Sequence, residues 1–292
     1  MYVPDIKLHN ATTLEEAGGT LARYAPSVRL LAGGTDLLVD LKTGRATYDH
    51  LVSINRIETL RGLDENANEL RIGALTTVTQ LGSAPVVRER FSPLLDATSK
   101  MAAPQIRNVA TVGGNIAAAV PCADLPPILT AMNASVALWL SGDERTVPLH
   151  DFFTGPRETI LRDGELLTAA LVPKPPPGFG ATYARFGMRE GNTIAVAAVA
   201  ASLLLDSAGT VQDARIILGA VAPIPKMVKE AGDALIGQKA DDDSFGAAAD
   251  IAMKAAEPIS DVRGSADFRR ELVAVLTKRA LTTARDRAKE TL

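Results

Sequence analysis

Ala103–Leu125 reads APQIRNVATVGGNIAAAVPCADL. Two adjacent glycines, Gly113 and Gly114, stand between Thr111-Val112 and Asn115 in a run with few bulky side chains, and Asp124 closes it. So much uncovered backbone marks a place where a second backbone or a ligand comes close. Leu30–Leu38, LLAGGTDLL, has the same character, with Gly33-Gly34-Thr35-Asp36 following the apolar run Val28–Ala32. We read the two loops as sharing one ligand. Adjacent glycines free their N–H groups, and no Cβ keeps a phosphate away from such an anion nest. Thr35 and Thr111 add hydroxyl donors and Asn115 an amide. Asp36 and Asp124 repel a phosphate and suit ribose or ribityl hydroxyls, or the capping of the helices that follow. The pattern is neither the dinucleotide G-x-G-x-x-G nor a P-loop, since no Lys-Ser or Lys-Thr pair follows. On pattern alone, a phosphorylated cofactor and purely structural turns account for the glycines equally well.

The rest of the chain bounds the answer. Its 292 residues exceed one small core, and two domains are the natural division. Hydrophobic residues make up 47% but aromatics only 4%, so Ala, Val and Leu carry the core. A net charge of −3 gives no electrostatic case for nucleic acid or an anionic membrane. Cys122 is the only cysteine, which excludes an internal disulfide and any iron–sulfur cluster held by this chain alone, and fits a reducing compartment. His9, His50 and His150 have no ligand-like spacing, which argues against a zinc site. MYVPDIKLHN lacks the pattern of a signal peptide, and no apolar segment is long enough to span a bilayer. The expectation is a soluble, cytoplasmic globular protein.

In chain order, Thr13 and Glu16 form a capping-box pattern ahead of apolar residues at helical spacing, Leu14 to Tyr24. Val28–Ala32, the glycine turn, a helical Leu37–Leu41 and the strand Leu51–Ile54 make a small α/β unit. Leu70–Ala74 reads as a strand and Thr77–Leu81 as a helix start. Ser92-Pro93 predicts a helix to about Met101, ended by Pro104, and Asp124 with Pro126 and Pro127 predicts another to about Met132. Ser135–Leu140 and Leu166–Val172 close this half as strands. Pro173–Gly178 is the linker signal. Beyond it, Ala181–Met188, Ala195–Leu205 and Ala214–Val221 predict an antiparallel meander. Met227–Ile236, Ser244–Ala256 and Ala266–Lys289 predict helices, with Asp241–Asp243 a solvated helix start. The division is therefore α+β on both sides: 1–174, in two parts split near 55–60, and 179–292.

No other constellation competes. There is no G-x-S-x-G elbow and no Ser–His–Asp set. Glu89, Glu158 and Glu190 are unpaired carboxylates that read as solvated surface. Arg107 can meet a phosphate or hold its loop through carbonyls, and the structural role is favoured. Cys122 reads as a small apolar filler.

At these residues the chain resembles a known family. LLAGGTDLL (30–38), PQIRNVATVGGNI (104–116) and the Pro121/Asp124 pair resemble the FAD-binding medium subunit of molybdenum hydroxylases, of the xanthine dehydrogenase, carbon monoxide dehydrogenase and 4-hydroxybenzoyl-CoA reductase type. LRIGALTTVTQL, GELLTAALVP and DVRGSADFRREL (261–272) extend the resemblance over nearly the whole chain. It implies a two-part FAD-binding domain of the vanillyl-alcohol-oxidase type, then a three-stranded antiparallel sheet with helices. It implies that Leu31, Ala32, Gly33, Gly34, Thr35, Asp36 and Leu37 contact the pyrophosphate and its neighbours. Ala110, Thr111, Gly113, Gly114, Asn115 and Ala117 form the second loop, and Asp124 meets hydroxyls of the cofactor chain. Leu167 lies near a flavin or adenine face. Arg185 falls where relatives carry a basic residue, often Lys, near the isoalloxazine. With one cysteine and no insert after Asn115, the chain departs from the 4-hydroxybenzoyl-CoA reductase type and lacks its extra cluster.

The resemblance implies the flavin module of a three-part oxidoreductase. Hydroxylation takes place at a molybdenum cofactor in a large partner subunit. Electrons cross 2Fe–2S clusters of a small partner subunit, reach non-covalent FAD here, and leave to NAD or another acceptor. Two rivals stand beside it, a self-contained flavin oxidoreductase with its own small substrate and a non-catalytic FAD-binding assembly subunit. Covalent flavin attachment through Cys122 or a His is a minor third.

Overall fold

In the computed structural model, which describes residues 5–189 and 191–292, the chain begins with a parallel sheet. Strand β1 (Lys7–Asn10), helix α1 (Leu14–Tyr24), strand β2 (Val28–Leu31), helix α2 (Leu37–Lys42) and strand β3 (His50–Ser53) give the order β1-β3-β2. Thr13 Oγ1 accepts from Glu16 N at 3.2 Å, while the Glu16 carboxylate accepts from Thr12 N at 2.7 Å. The capping box thus closes one residue further back than the sequence suggests. In this sheet the glycine turn leaves the C-terminal end of β2, the usual mouth of a parallel α/β unit.

The second sheet is antiparallel. Its strands are β4 (Leu63–Glu65), β5 (Glu69–Gly73), β6 (Ser135–Leu140), β7 (Asp143–Pro148) and, closing the domain, Leu166–Pro173, in the order β4-β5-Leu166–Pro173-β6-β7. Short helices lie between β5 and β6: α3 (Val78–Ser83), α4 (Pro85–Arg90), α5 (Pro93–Lys100), α6 (Pro104–Arg107), α7 (Val112–Ala117) and α8 (Leu125–Ala131). A small hairpin, β8 (Phe153–Gly155) and β9 (Glu158–Thr159), precedes Leu166–Pro173, which is β10. Two expectations change here. Pro104 does not end a helix but opens α6, because a residue without an N–H is best placed at the first helical position. Ser92 is helical itself and caps nothing through its side chain, although Pro93 does start α5. Strand β7 went unread because DERTVP is polar; it is an edge strand, turned through Ser141-Gly142 with positive φ at both residues.

The third layer is the meander β11 (Phe179–Gly187), β12 (Ala195–Leu205) and β13 (Val211–Gly219), with a two-residue β14 (Lys226–Met227) on its edge. β14 occupies the start of the helix expected over 227–236, which shrinks to α9 (Lys229–Asp233). The helices α10 (Asp242–Ala255) and α11 (Ala266–Glu290) follow, α10 opened by a capping box between Asp241 and Ser244. β12, AVAAVAASLLL, is apolar without alternation because both its faces are covered. Ala198 and Ala200 belong to the core of the first domain, while Ala197, Val199, Ala201 and Leu203 pack with α10 and α11.

A carboxylate ties the two halves together. Asp96 of α5 accepts from Thr182 Oγ1 at 2.6 Å, from Tyr183 N at 3.2 Å, and from both terminal nitrogens of Arg287 at 2.7 and 3.0 Å. Bidentate, charge-assisted bonds of this kind are the strong ones. Asp96→Ala is expected to lower unfolding stability by about 2–3 kcal/mol, read as a lower urea midpoint at unchanged m-value. An unshifted midpoint contradicts the role.

Candidate functional site

The first glycine loop joins β2 to α2. The N–H groups of Gly33, Gly34, Thr35 and Asp36 meet no carbonyl acceptor among the described residues. Gly34 takes a positive φ of 71°, which glycine adopts without strain. Asp36 precedes α2 but makes no capping bond. Its carboxyl is held above the ordinary range by the protein crowded around it, opposed by Arg157, although the residue itself is exposed. Arg157 arrives through Asp40 of α2, whose buried carboxylate accepts from Arg45 Nε at 2.8 Å and Arg157 Nη1 at 2.7 Å.

The second loop is built differently. Thr111 caps α7, its Oγ1 accepting from Gly114 N at 3.1 Å, and Gly113 N donates to Ala74 O at 2.9 Å. Val112 N donates to Thr76 O and Val78 N to Ala110 O, each at 2.9 Å, zipping the loop onto 74–78. The N–H groups of Gly113 and Gly114, expected to be free, are thus engaged within the protein. What this loop can offer a ligand is side-chain chemistry. The Thr111 hydroxyl still has its hydrogen to donate. Asn115 uses Oδ1 for Leu125 N at 3.3 Å, and its amide nitrogen has no partner among the described residues.

Both glycines are required by close approach. A Cβ on Gly33 would lie 2.0 Å from Val109 O, and one on Gly113 would lie 2.6 Å from Ala74 Cβ. The two loops therefore meet backbone to backbone at Gly33 and Val109-Ala110.

The third wall comes from Asp124 and β11. Tyr183 Oη donates to Asp124 Oδ1 at 2.8 Å, and Arg185 Nη1 donates to the same oxygen at 2.7 Å. Oδ2 has no partner among the described residues and is not sealed from solvent. Asp124 makes no capping bond to α8, so the helix-cap role is not the one it fills. Burial pushes its carboxyl up, opposed by the Arg185 charge and by hydrogen bonds from Arg185 and Tyr183, and burial likewise drives the Tyr183 phenol well up. Arg185 is itself almost inaccessible, with Nη2 on Thr193 O at 2.9 Å. Cys122 is half-buried, and its thiol is pushed up by burial, then by Asp124 and, more weakly, Asp36.

Two family models match the chain. One, described as the FAD binding domain in molybdopterin dehydrogenase, covers residues 4–175, and one described as the CO dehydrogenase flavoprotein C-terminal domain covers 182–284. The chain belongs to the molybdopterin-dehydrogenase flavoprotein family. It is 34% identical to the carbon monoxide dehydrogenase medium chain of Hydrogenophaga pseudoflava, over 97% of this chain and 98% of that one. It is 35% identical to the glyceraldehyde dehydrogenase medium chain of Sulfolobus acidocaldarius, over 96% and 98%. It is also 33% identical to the xanthine dehydrogenase FAD-binding subunit of Escherichia coli O157:H7, over 94% of each. Among solved structures, the carbon monoxide dehydrogenase of H. pseudoflava without the Mo-pyranopterin moiety superposes with a TM-score of 0.95 at 36% identity, covering 98% of this chain and 99% of that one. Quinoline 2-oxidoreductase of Pseudomonas putida 86 superposes with 0.91 at 29% identity, covering 99% of each.

The donor set fits the cofactor of this flavoprotein family. Open backbone N–H groups in the first loop suit a pyrophosphate, and the free Asp124 oxygen suits a hydroxyl. Leu167 sits in β10 opposite Leu138, 7% exposed, at a bulge whose Thr168 carbonyl accepts Ala74 N. It is joined to the second loop through Ala74. Ala110 is buried and Ala117 half-buried. Arg107 donates to the carbonyls of Met101 and Ala102, the structural role. Glu89 and Glu158 are exposed, and Glu190 lies outside the described residues. His9 and His50, distant in sequence, do meet at 3.1 Å across β1 and β3, yet no cluster of three metal-ligating side chains exists among the described residues. Sequence reasoning missed Arg157, Tyr183 and the 74–78 segment. Only the TT in LRIGALTT hinted at the last.

Gly33→Ala must move backbone rather than a side chain. It is expected to lower stability by about 3 kcal/mol, at the upper end of overpacking costs. Thr111→Val removes the α7 cap at a cost of about 1 kcal/mol. Chemical denaturation of both variants checks the order; equal losses contradict the close approach at Gly33.

Proposed function

We propose that this chain is the FAD-binding electron-transfer subunit of a heteromeric molybdenum-containing dehydrogenase or hydroxylase. Its partners in this reading are a large molybdenum-cofactor subunit and a small 2Fe–2S subunit, with NAD or another molecule as final acceptor. The observation that carries the reading is the pair of glycine loops in backbone contact, one offering consecutive open N–H donors. Bound FAD supplies the two-electron and one-electron chemistry, and the protein supplies binding, orientation and electrostatics.

In this assignment the Gly33–Asp36 amides and Thr35 hold the pyrophosphate, and Thr111 and Asn115 donate to the cofactor from the second loop. Asp124 accepts from a hydroxyl of the ribityl or ribose chain through Oδ2. Tyr183 and Arg185 orient that carboxylate, which assigns Arg185 to holding Asp124. Leu167, Ala110 and Ala117 line the apolar side. The two domains, divided at the Pro173–Gly178 linker, form the cleft between them. A self-contained oxidoreductase would need its own proton-transfer groups at the cleft. Asp124 and Arg185 are occupied with each other, and Cys122 is held as a thiol, so they do not fill that need.

Titrating the purified, flavin-free chain with FAD is expected to show one FAD bound per chain, released by acid precipitation. Asp124→Ala is expected to weaken binding tenfold or more, about 1.4 kcal/mol. A chain that binds no flavin overturns the reading, and flavin retained after acid overturns its non-covalent part.

A further inference from the structure

The two domains meet along the open edge of β11, the outermost strand in the order β11-β12-β13-β14. An edge strand leaves every second residue's N–H and C=O without a ladder partner. On β11 such groups, at Ala181 and Tyr183, are met by one side chain from each domain. Arg287 of α11 donates from Nη1 to Ala181 O at 2.7 Å, and Asp96 of α5 accepts from Tyr183 N on Oδ2 at 3.2 Å. The same two side chains bind each other, Arg287 Nη1 to Asp96 Oδ2 at 2.7 Å and Nη2 to Oδ1 at 3.0 Å. Thr182 Oγ1 adds a third donor to Asp96 Oδ2, at 2.6 Å. A single ion pair thus takes the place that a further strand would fill.

This pair sits one residue away from the acid of the candidate cofactor site. Tyr183 gives its N–H to Asp96 and its hydroxyl to Asp124 Oδ1, the latter at 2.8 Å. Arg185, two positions on and therefore on the same face of the strand, reaches the same oxygen at 2.7 Å. How both side chains meet Asp124 follows from where β11 rests on the first domain. Tyr183 is 3% exposed, and a packed phenol has little room to compensate for a displaced backbone. On its other side, β11 lies backbone to backbone on α11. A Cβ on Gly180 would stand 2.0 Å from Ala284 O and 2.4 Å from Ala288 N, and Gly178 N donates to Thr291 Oγ1 at 3.0 Å. α11 and β11 therefore form one body, and the Asp96–Arg287 pair fastens that body to α5.

We propose that Asp96 and Arg287 are positioning residues of the cofactor site: by fixing β11 on the first domain they set Tyr183 and Arg185 against Asp124, so that cofactor affinity is coupled to the docking of α11. This rests on the FAD reading above, in which Asp124 Oδ2 accepts from a hydroxyl of the cofactor. Neither residue touches the cofactor in that reading. Their effect passes through Asp124 and vanishes when Asp124 is removed.

The test is FAD affinity of the full chain in two backgrounds, wild type and Asp124→Ala, with circular dichroism showing that each variant is folded. Asp96→Asn is expected to weaken FAD binding about fivefold in the wild-type background, the low end of coupling between separate sites. In the Asp124→Ala background it is expected to cost less than twofold further, the non-additivity of groups acting through one another. Arg287→Gln should behave as Asp96→Asn does, and Arg287→Lys should recover part of the affinity. A pair that only adds stability leaves the affinity of the folded chain where it was. Unchanged affinity in folded Asp96→Asn and Arg287→Gln chains therefore overturns the proposal, as does an equal loss in both backgrounds. If Asp96→Asn does not fold, the two Arg287 variants carry the same comparison. A wild-type chain that binds no FAD overturns the earlier reading instead, which separates the two failures.

Discussion

Strand β11 is held by two carboxylates of the other domain. Asp96 takes the Thr182 hydroxyl and the Tyr183 N–H, and Asp124 takes the Tyr183 hydroxyl and Arg185. Three positions of one strand, Thr182, Tyr183 and Arg185, therefore supply four hydrogen-bond donors to the two acids. Neither carboxylate can move without unpairing a partly buried charge, which costs far more than the pair itself yields. The junction is specified by this polar register as much as by the alanine-rich contact of β12 with the first domain.

The two glycine loops use the same residue for opposite ends. In the first, glycine leaves amides open and lets Val109 pass at backbone distance. In the second, glycine lets α7 press against Ala74, where the Gly113 amide is consumed by that docking and the Gly114 amide by the Thr111 cap. One loop offers main-chain donors and the other the side chains of Thr111 and Asn115. Such a division keeps the second loop rigid, because it is zipped to 74–78, while the first presents the anion-binding surface.

Much of this could be read from the residues. The β2–turn–α2–β3 unit, β10, β12 and α11 all lie where hydrophobic pattern and caps put them. The pattern failed where local order depends on a distant partner. β7 is polar because it is an edge, and α9 shortened because β14 found Ile217 and Leu218 to pair with. The glycine amides of the second loop could not be assigned without knowing that Ala74 waits across from Gly113. Tyr183 carries no local mark of its bond to Asp124; it reads as one more apolar residue of a strand. The family motifs pointed to Arg185 but not to what it holds.

The Asp96–Arg287 pair has a consequence for biogenesis. Its partners are 191 residues apart in the chain, and Tyr183 reaches Asp124 across 59. During synthesis the first domain emerges with both acids and both glycine loops already made, but with the third wall absent. Until Arg287 of α11 is available, Asp96 lacks the cationic partner it has in the finished fold, and β11 is tied to the first domain by the hydrogen bonds of Thr182, Tyr183 and Arg185. The last helix therefore locks a junction that the earlier strand begins.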